Sequence, residues 1–119
     1  MIKNIIIFAF TSLVCQSCVQ KTYKKTVVYI LKVENQDGIK KVGIRGNDAP
    51  LNWQYDFEMK QSKSDSGYVA VVTYLTGYKF TESKFVVNDE FEFPNQDNRK
   101  IVFSDKDTTI YTGKFNIRN

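Results

Sequence analysis

The 119-residue chain contains no histidine, and its only cysteines are Cys15 and Cys18. Without histidine there is no imidazole general base, no Ser-His or Cys-His nucleophile, and none of the commonest neutral metal ligand. With both cysteines near the start, everything after them must fold without a disulfide. Prolines number two, Pro50 and Pro94, and both fall between segments that read as strands, where a missing amide donor does no harm. The length suits one domain at the usual scale of about 100–200 residues, which excludes an enzyme with a separate cofactor domain. Charge is nearly balanced, with 17 basic and 13 acidic residues and a net charge of +4. That is no basic stripe, and a nucleic-acid partner is not expected. What the sequence does have is aromatic residues: seven Tyr, nine Phe and one Trp, a share that favours β-structure or a stacking surface.

The longest apolar run, Ile5 to Val14, covers ten residues just after Lys3. It is too short to span a bilayer core of about 30 Å. A basic start, a short apolar middle and a small residue before a cleavage point predict a secretory signal over 1–17; the competing reading is a buried N-terminal strand. Cys15-Gln16-Ser17-Cys18 follows, and it resembles the lipobox of bacterial lipoproteins. The resemblance implies that Cys18 becomes the acylated N-terminus of an exported, membrane-anchored protein on the periplasmic or cell-surface face. The segment departs from the usual box, with Cys15 and Gln16 where Leu and a small residue are common. Read instead as a Cys-x-x-Cys redox pair, it would need a βαβ unit beside it, and none follows. Simple secretion is the remaining alternative. Cleavage before Cys18 removes only Lys3 from the charges, leaving 16 basic and 13 acidic residues. Residues 18–25 read as a short tether whose Lys21, Lys24 and Lys25 lie near headgroups or are simply solvated.

From Thr26 onward the dominant period is two. Val27, Tyr29, Leu31 and Val33 alternate with Val28, Ile30 and Lys32, and Val69, Val71 and Thr73 alternate with Tyr68, Ala70 and Val72, so both segments read as strands. Further short segments rich in β-branched or aromatic residues run from Lys41 to Arg45, Asp56 to Met59, Thr81 to Val87, Glu90 to Phe93, Lys100 to Phe103 and Thr108 to Phe115. Turn formers such as Gly46-Asn47-Asp48, Thr76-Gly77 and Asn88-Asp89 separate them. No sustained helical stripe interrupts the series. The expectation is one all-β domain over 26–119, an antiparallel β-sandwich of seven to eight strands.

Two stretches carry a resemblance. Val42-Gly43-Ile44-Arg45-Gly46-Asn47-Asp48-Ala49-Pro50-Leu51-Asn52-Trp53 is a strand running through a turn into Leu-Asn-Trp. Downstream, Glu82-Ser83-Lys84-Phe85 is followed by Glu90-Phe91-Glu92 and by Gln96-Asp97-Asn98-Arg99. In this order they resemble the starch-binding type of carbohydrate-binding module, family 20 and its relatives, over roughly Val27 to Phe115. The resemblance implies an immunoglobulin-like sandwich that binds α-glucan and catalyses nothing. It implies that Trp53 stacks on a sugar ring, that Lys84 and Asn98 hydrogen-bond sugar hydroxyls, and that Phe91 takes the place of a second stacking tryptophan. A pyranose has an apolar C–H face and a hydroxyl rim, so such a site needs flat platforms edged by a few polar groups. Strand parity agrees for Lys84, since Phe85 and Val87 would take the core face. The segments corresponding to a second site in the family, Met59 to Gly67 and the hairpin near Asp37, carry no aromatics here, so one site is expected.

Each of these residues also has a plainer reading: Trp53 as a core plug, Lys84 as a solvated strand residue, Asn98 as a turn former, and Phe91 as core because it shares parity with Phe93. Tyr74 and Tyr78 read either as an exposed aromatic pair or as cross-strand packing. No cofactor is expected. Carboxylate catalysis would need a facing pair such as Glu90 with Glu92 or Asp105 with Asp107, which read as solvent-facing neighbours and not as two walls of a cleft. Asp65, Asp105 and Asp107 lack a regular calcium-ligand spacing. Beside the glycan reading stands a structural or protein-binding envelope lipoprotein that keeps the fold without the site.

Overall fold

The computed structural model describes residues 21–35, 37–63 and 67–118. The apolar run, Cys15, Cys18 and Asp65 lie outside the described residues. Nine strands and no helix make up what is described: β1 (Tyr23–Lys32), β2 (Val42–Gly46), β3 (Phe57–Glu58), β4 (Lys60–Gln61), β5 (Gly67–Thr76), β6 (Phe80–Val87), β7 (Glu90–Phe91), β8 (Arg99–Val102) and β9 (Thr108–Lys114). One sheet runs β4-β5-β1-β9. The other runs β3-β2-β6-β7, with β8 also paired to β6. The protein is a two-sheet β-sandwich.

The alternation read from the sequence sets which side chains go inside. On β1, Val27, Tyr29 and Leu31 are buried, and on β5 so are Tyr68, Ala70, Val72 and Tyr74; Val71, Thr73 and Leu75 between them face out. From the second sheet Ile44, Phe85 and Ile101 fill the same core. Each such apolar side chain contributes about 1.5–3 kcal/mol on burial. Tyr29 and Tyr74, both essentially fully buried, satisfy their hydroxyls by bonding each other at 2.6 Å. Tyr74 is therefore core, and only Tyr78 of that pair is exposed.

Three features differ from the expected strands. β1 begins at Tyr23, with Tyr23, Lys24 and Lys25 already in register with Thr76, Leu75 and Tyr74. The last three residues of the expected tether thus belong to the sheet, held further by Lys25 Nζ, which donates to the carbonyls of Ser104 and Lys106, both at 3.1 Å. The expected strand around Asp56–Met59 crosses between sheets: β3 pairs with β2, β4 pairs with β5, and buried Met59 sits at the corner with its N–H on the Val42 carbonyl. Strands that switch sheets at a bend are a common way to build sandwich corners. All pairings are antiparallel except that of β1 with β9, which is parallel. These strands lie at opposite ends of the domain sequence, so the long connection that parallel pairing requires is supplied by everything between them.

The two ends of the sandwich differ. The start of β1, the 77–79 turn and the 103–107 loop meet at one end, where the Thr26 N–H reaches the Asp107 carbonyl and the Phe103 N–H the Lys79 carbonyl. The end of β1, the start of β2 and the end of β6 lie at the other. There Asn88 and Asp89, at φ of 50° and 68°, form the two-residue turn between β6 and β7. Positive φ at both central positions is what a tight hairpin of matching twist needs.

Candidate functional site

The outer face of the β2–β6 sheet carries the site. On β6, Phe85 points into the core and Lys84 away from it, beside its cross-strand neighbour Arg45 on β2. Trp53 projects from the loop between β2 and β3. That loop is fixed from both sides. Leu51 is buried in the core, and Asn52 Oδ1 accepts the backbone N–H groups of Gln54 and Tyr55 at 2.9 and 2.8 Å. The indole N–H of Trp53 donates to Asn47 Oδ1 at 2.7 Å, which sets the ring's rotation. Trp53 is half-buried and Phe91, on β7, is 36 % exposed. Their ring centroids lie 6.1 Å apart with the planes tilted by 52°.

Arg45 holds this pair together. Its Nε bonds Asp56 Oδ1 at 2.7 Å, its Nη1 donates to the Trp53 carbonyl at 3.2 Å, and its guanidinium lies 5.1 Å from the centre of the Phe91 ring. Asp56 can come this close only because Gly43 has no side chain, since a Cβ there would stand 2.6 Å from Asp56 Cβ. The other Asp56 oxygen, Oδ2, is buried with no partner among the described residues, so the Arg45 contact is the carboxylate's main compensation for leaving water.

A second polar cluster fixes the segment that follows Phe91. Glu92 is fully buried and grips buried Arg99 through two bonds, Oε2 to Nε at 2.7 Å and Oε1 to Nη2 at 2.9 Å. Glu92 Oε2 also accepts the Phe85 N–H. Arg99 donates onward to the carbonyls of Lys114 and Ile117 and to the Tyr111 hydroxyl. Gly113 leaves room for it: a Cβ there would lie 2.9 Å from Arg99 Nη1. Burial is the largest single influence on Arg99 and would lower its pKa, but the hydrogen bonds to Glu92 and Tyr111 and their charge interactions together outweigh it, and the net shift is upward. The expectation that Glu90 and Glu92 face solvent as a pair therefore fails for Glu92, which is a structural acid committed to Arg99.

Phe93 explains why strand parity misleads at Phe91. β7 ends at Phe91, and Phe93 takes a φ of 47°, turning its ring inward. There it lies between the guanidinium groups of Arg99 and Arg118, 5.0 and 3.7 Å from its ring centre. Its backbone is held by Asn116 Oδ1, which accepts the N–H at 2.8 Å, and by Lys84 Nζ, which donates to the carbonyl at 3.0 Å. Phe93 is core and Phe91 surface.

The structure brings together all four residues that the sequence singled out. Trp53, Lys84, Phe91 and Asn98 line a single open depression of about 700 Å³, completed by Glu90, Pro94 and Asn95. Lys84 is more enclosed than a solvated strand residue. It lies at the floor with its ammonium on the Phe93 carbonyl, while half-buried Asn98 precedes β8 at the rim. Sequence reading missed Arg45, which looks like an ordinary strand cation, and Glu90 and Asn95, whose places depend on two turns. It also passed over Tyr55, 76 % exposed on a neighbouring depression of about 630 Å³. Among the described residues no group of three or more Cys, Asp or Glu is placed to hold a metal ion. No protein-family model matches the chain, and no curated protein is similar to it at a significant level.

Proposed function

We propose that this domain binds carbohydrate without cleaving it, as an exported protein anchored to a bacterial membrane through lipid on Cys18, and that its ligand is an α-glucan or a similarly curved polysaccharide. The observation that carries the reading is the convergence of Trp53 and Phe91 with Lys84 and Asn98 on one depression. Two aromatic platforms edged by donors and acceptors are the chemistry a pyranose chain requires. Because the platforms are tilted by 52°, a flat, ribbon-like polymer meets one face-on and the other askew, while a chain that curves between residues can meet both. The Lys84 ammonium has three donors, of which the Phe93 carbonyl takes one, leaving donors for sugar hydroxyls.

The enclosure of Lys84 also favours a second reading, in which this lysine serves only to hold the 91–95 segment and the domain is a structural or protein-binding envelope lipoprotein. Electrophoresis in gels containing amylose or amylopectin separates the two. Retardation that Trp53→Ala abolishes is expected; unchanged mobility in every glucan tested would leave the structural reading, and release of reducing sugar would make the protein an enzyme.

A further inference from the structure

We infer that the end of the sandwich where β1 begins is a membrane-apposed surface that rests on anionic lipid headgroups. The large apolar side chains Tyr23, Leu75, Tyr78 and Val102 are each more than half exposed there, at 58, 70, 66 and 61 %. They come from four different strands and turns, and none is needed by the core. Tyr23 and Tyr78 flank a cleft of about 560 Å³ that also contains Lys25 and Lys79. Exposed Lys21 and Lys24 precede this cleft, and exposed Lys106 closes the loop beside it. The acids at the same end are Asp105 and Asp107 beside the cleft, and half-buried Asp48 and Glu82 in an adjoining depression that Tyr78 also lines; the five lysines outnumber these four by one.

Tyrosines with an apolar body and a polar tip, set among lysines, are the composition of a membrane–water boundary. Each lysine at an anionic surface is worth about fivefold in partition, fading within a Debye length. This inference goes beyond the glycan site and rests on the proposed Cys18 anchor only for the direction from which the membrane is met. Tyr23 follows Cys18 by five residues, a reach of at most roughly 18 Å, so an anchored chain brings this end to the bilayer first. The aromatic site sits further along β6, on the sheet's outer flank, and stays open to a polymer.

The test is lysine acetylation, read by mass spectrometry, on the full chain with vesicles of phosphatidylcholine containing phosphatidylglycerol. Labelling of Lys24, Lys79 and Lys106 is expected to fall by about fivefold or more relative to Lys40, Lys60 and Lys114. The triple variant Lys24→Glu, Lys79→Glu, Lys106→Glu is expected to lose that difference and keep its retardation in amylose gels. Equal labelling of the two groups on these vesicles overturns the inference, and protection that appears in cells but not on vesicles overturns it in favour of a protein partner. Incorporation of labelled palmitate reports separately on Cys18: protection without palmitate leaves the surface and removes the anchor, and palmitate without protection does the reverse.

Discussion

Trp53 and Phe91 come from separate segments, yet Arg45 touches both, bonding the carbonyl of the first at 3.2 Å and lying over the ring of the second. The two platforms are therefore not independent surface aromatics, and their spacing is fixed from below. Trp53→Ala removes one platform and leaves the loop held by Leu51 and Asn52. Its expected effect is a loss of about 1–3 kcal/mol in glucan affinity, the size of one aromatic stacking contact, with an unchanged unfolding midpoint. Isothermal titration with a linear maltooligosaccharide, beside a urea melt, checks both halves.

Substitution of Arg45 acts differently, because it withdraws support from Asp56 and from both rings at once. Arg45→Ala leaves the Asp56 carboxylate, about 15 % exposed, without its cation. The expected cost is about 1–3 kcal/mol of stability, the penalty of an unsatisfied buried polar group, together with weakened binding. Arg45→Lys keeps the charge but cannot bond Asp56 and the Trp53 carbonyl with one planar fork. It is expected to recover most of the stability and little of the affinity. If the lysine variant binds glucan as well as the wild type, the guanidinium has no part in positioning the platforms.

The Glu92–Arg99 pair governs stability more than binding. Both side chains are essentially out of water, so removing one leaves an uncompensated buried charge. Arg99→Met is expected to destabilise the domain by about 3–5 kcal/mol, and pairing it with Glu92→Leu to restore much of that loss. Equilibrium unfolding in urea measures both. Near-equal stability of the single and double variants would mean that the contacts of Arg99 to Lys114, Ile117 and Tyr111 matter more than the ion pair.

The alternation of Val27, Tyr29 and Leu31, and of Tyr68, Ala70, Val72 and Tyr74, made the central strands legible, because a period of two leaves one face for the core. Asn88-Asp89 was legible as a turn for a comparable local reason: both residues tolerate the positive φ that the hairpin demands. Phe91 was not, since its parity with Phe93 holds only if the strand continues. The strand stops because Asn116, from the far end of the chain, and Lys84 capture the backbone of Phe93. Glu92 and Arg99 look like ordinary polar residues in the sequence. Their burial depends on the space left by Gly113 on a strand of the other sheet, a long-range contact that no local pattern encodes.

The buried tyrosine pair makes the fold sensitive to alkali. Burial pushes the Tyr29 hydroxyl from its ordinary value of 10.0 up to about 12, partly offset by its hydrogen bonds to Tyr74 and Ser83. Burial likewise raises Tyr74, with the neighbouring Tyr29 adding to the shift. The folded state therefore holds these protons more tightly than the unfolded chain does. That stabilisation is fully present below pH 10 and is lost as pH rises toward and through the folded values. The slope is about 1.4 kcal/mol per pH unit for each tyrosine. Urea melts at intervals from pH 8 to pH 11.5 are expected to be flat at first and to fall steeply above about 10. The double variant Tyr29→Phe, Tyr74→Phe removes both hydroxyls at once, leaving no orphaned partner within the pair, and its melts are expected to lose most of that fall. Absorbance at the phenolate band supplies an independent check: Tyr29 and Tyr74 are expected to ionise only as the protein unfolds, so their share of the phenolate signal rises together with the loss of structure. A pair that titrated at the ordinary value with the fold intact would show that water reaches the two hydroxyls, and the stability profile would then be level.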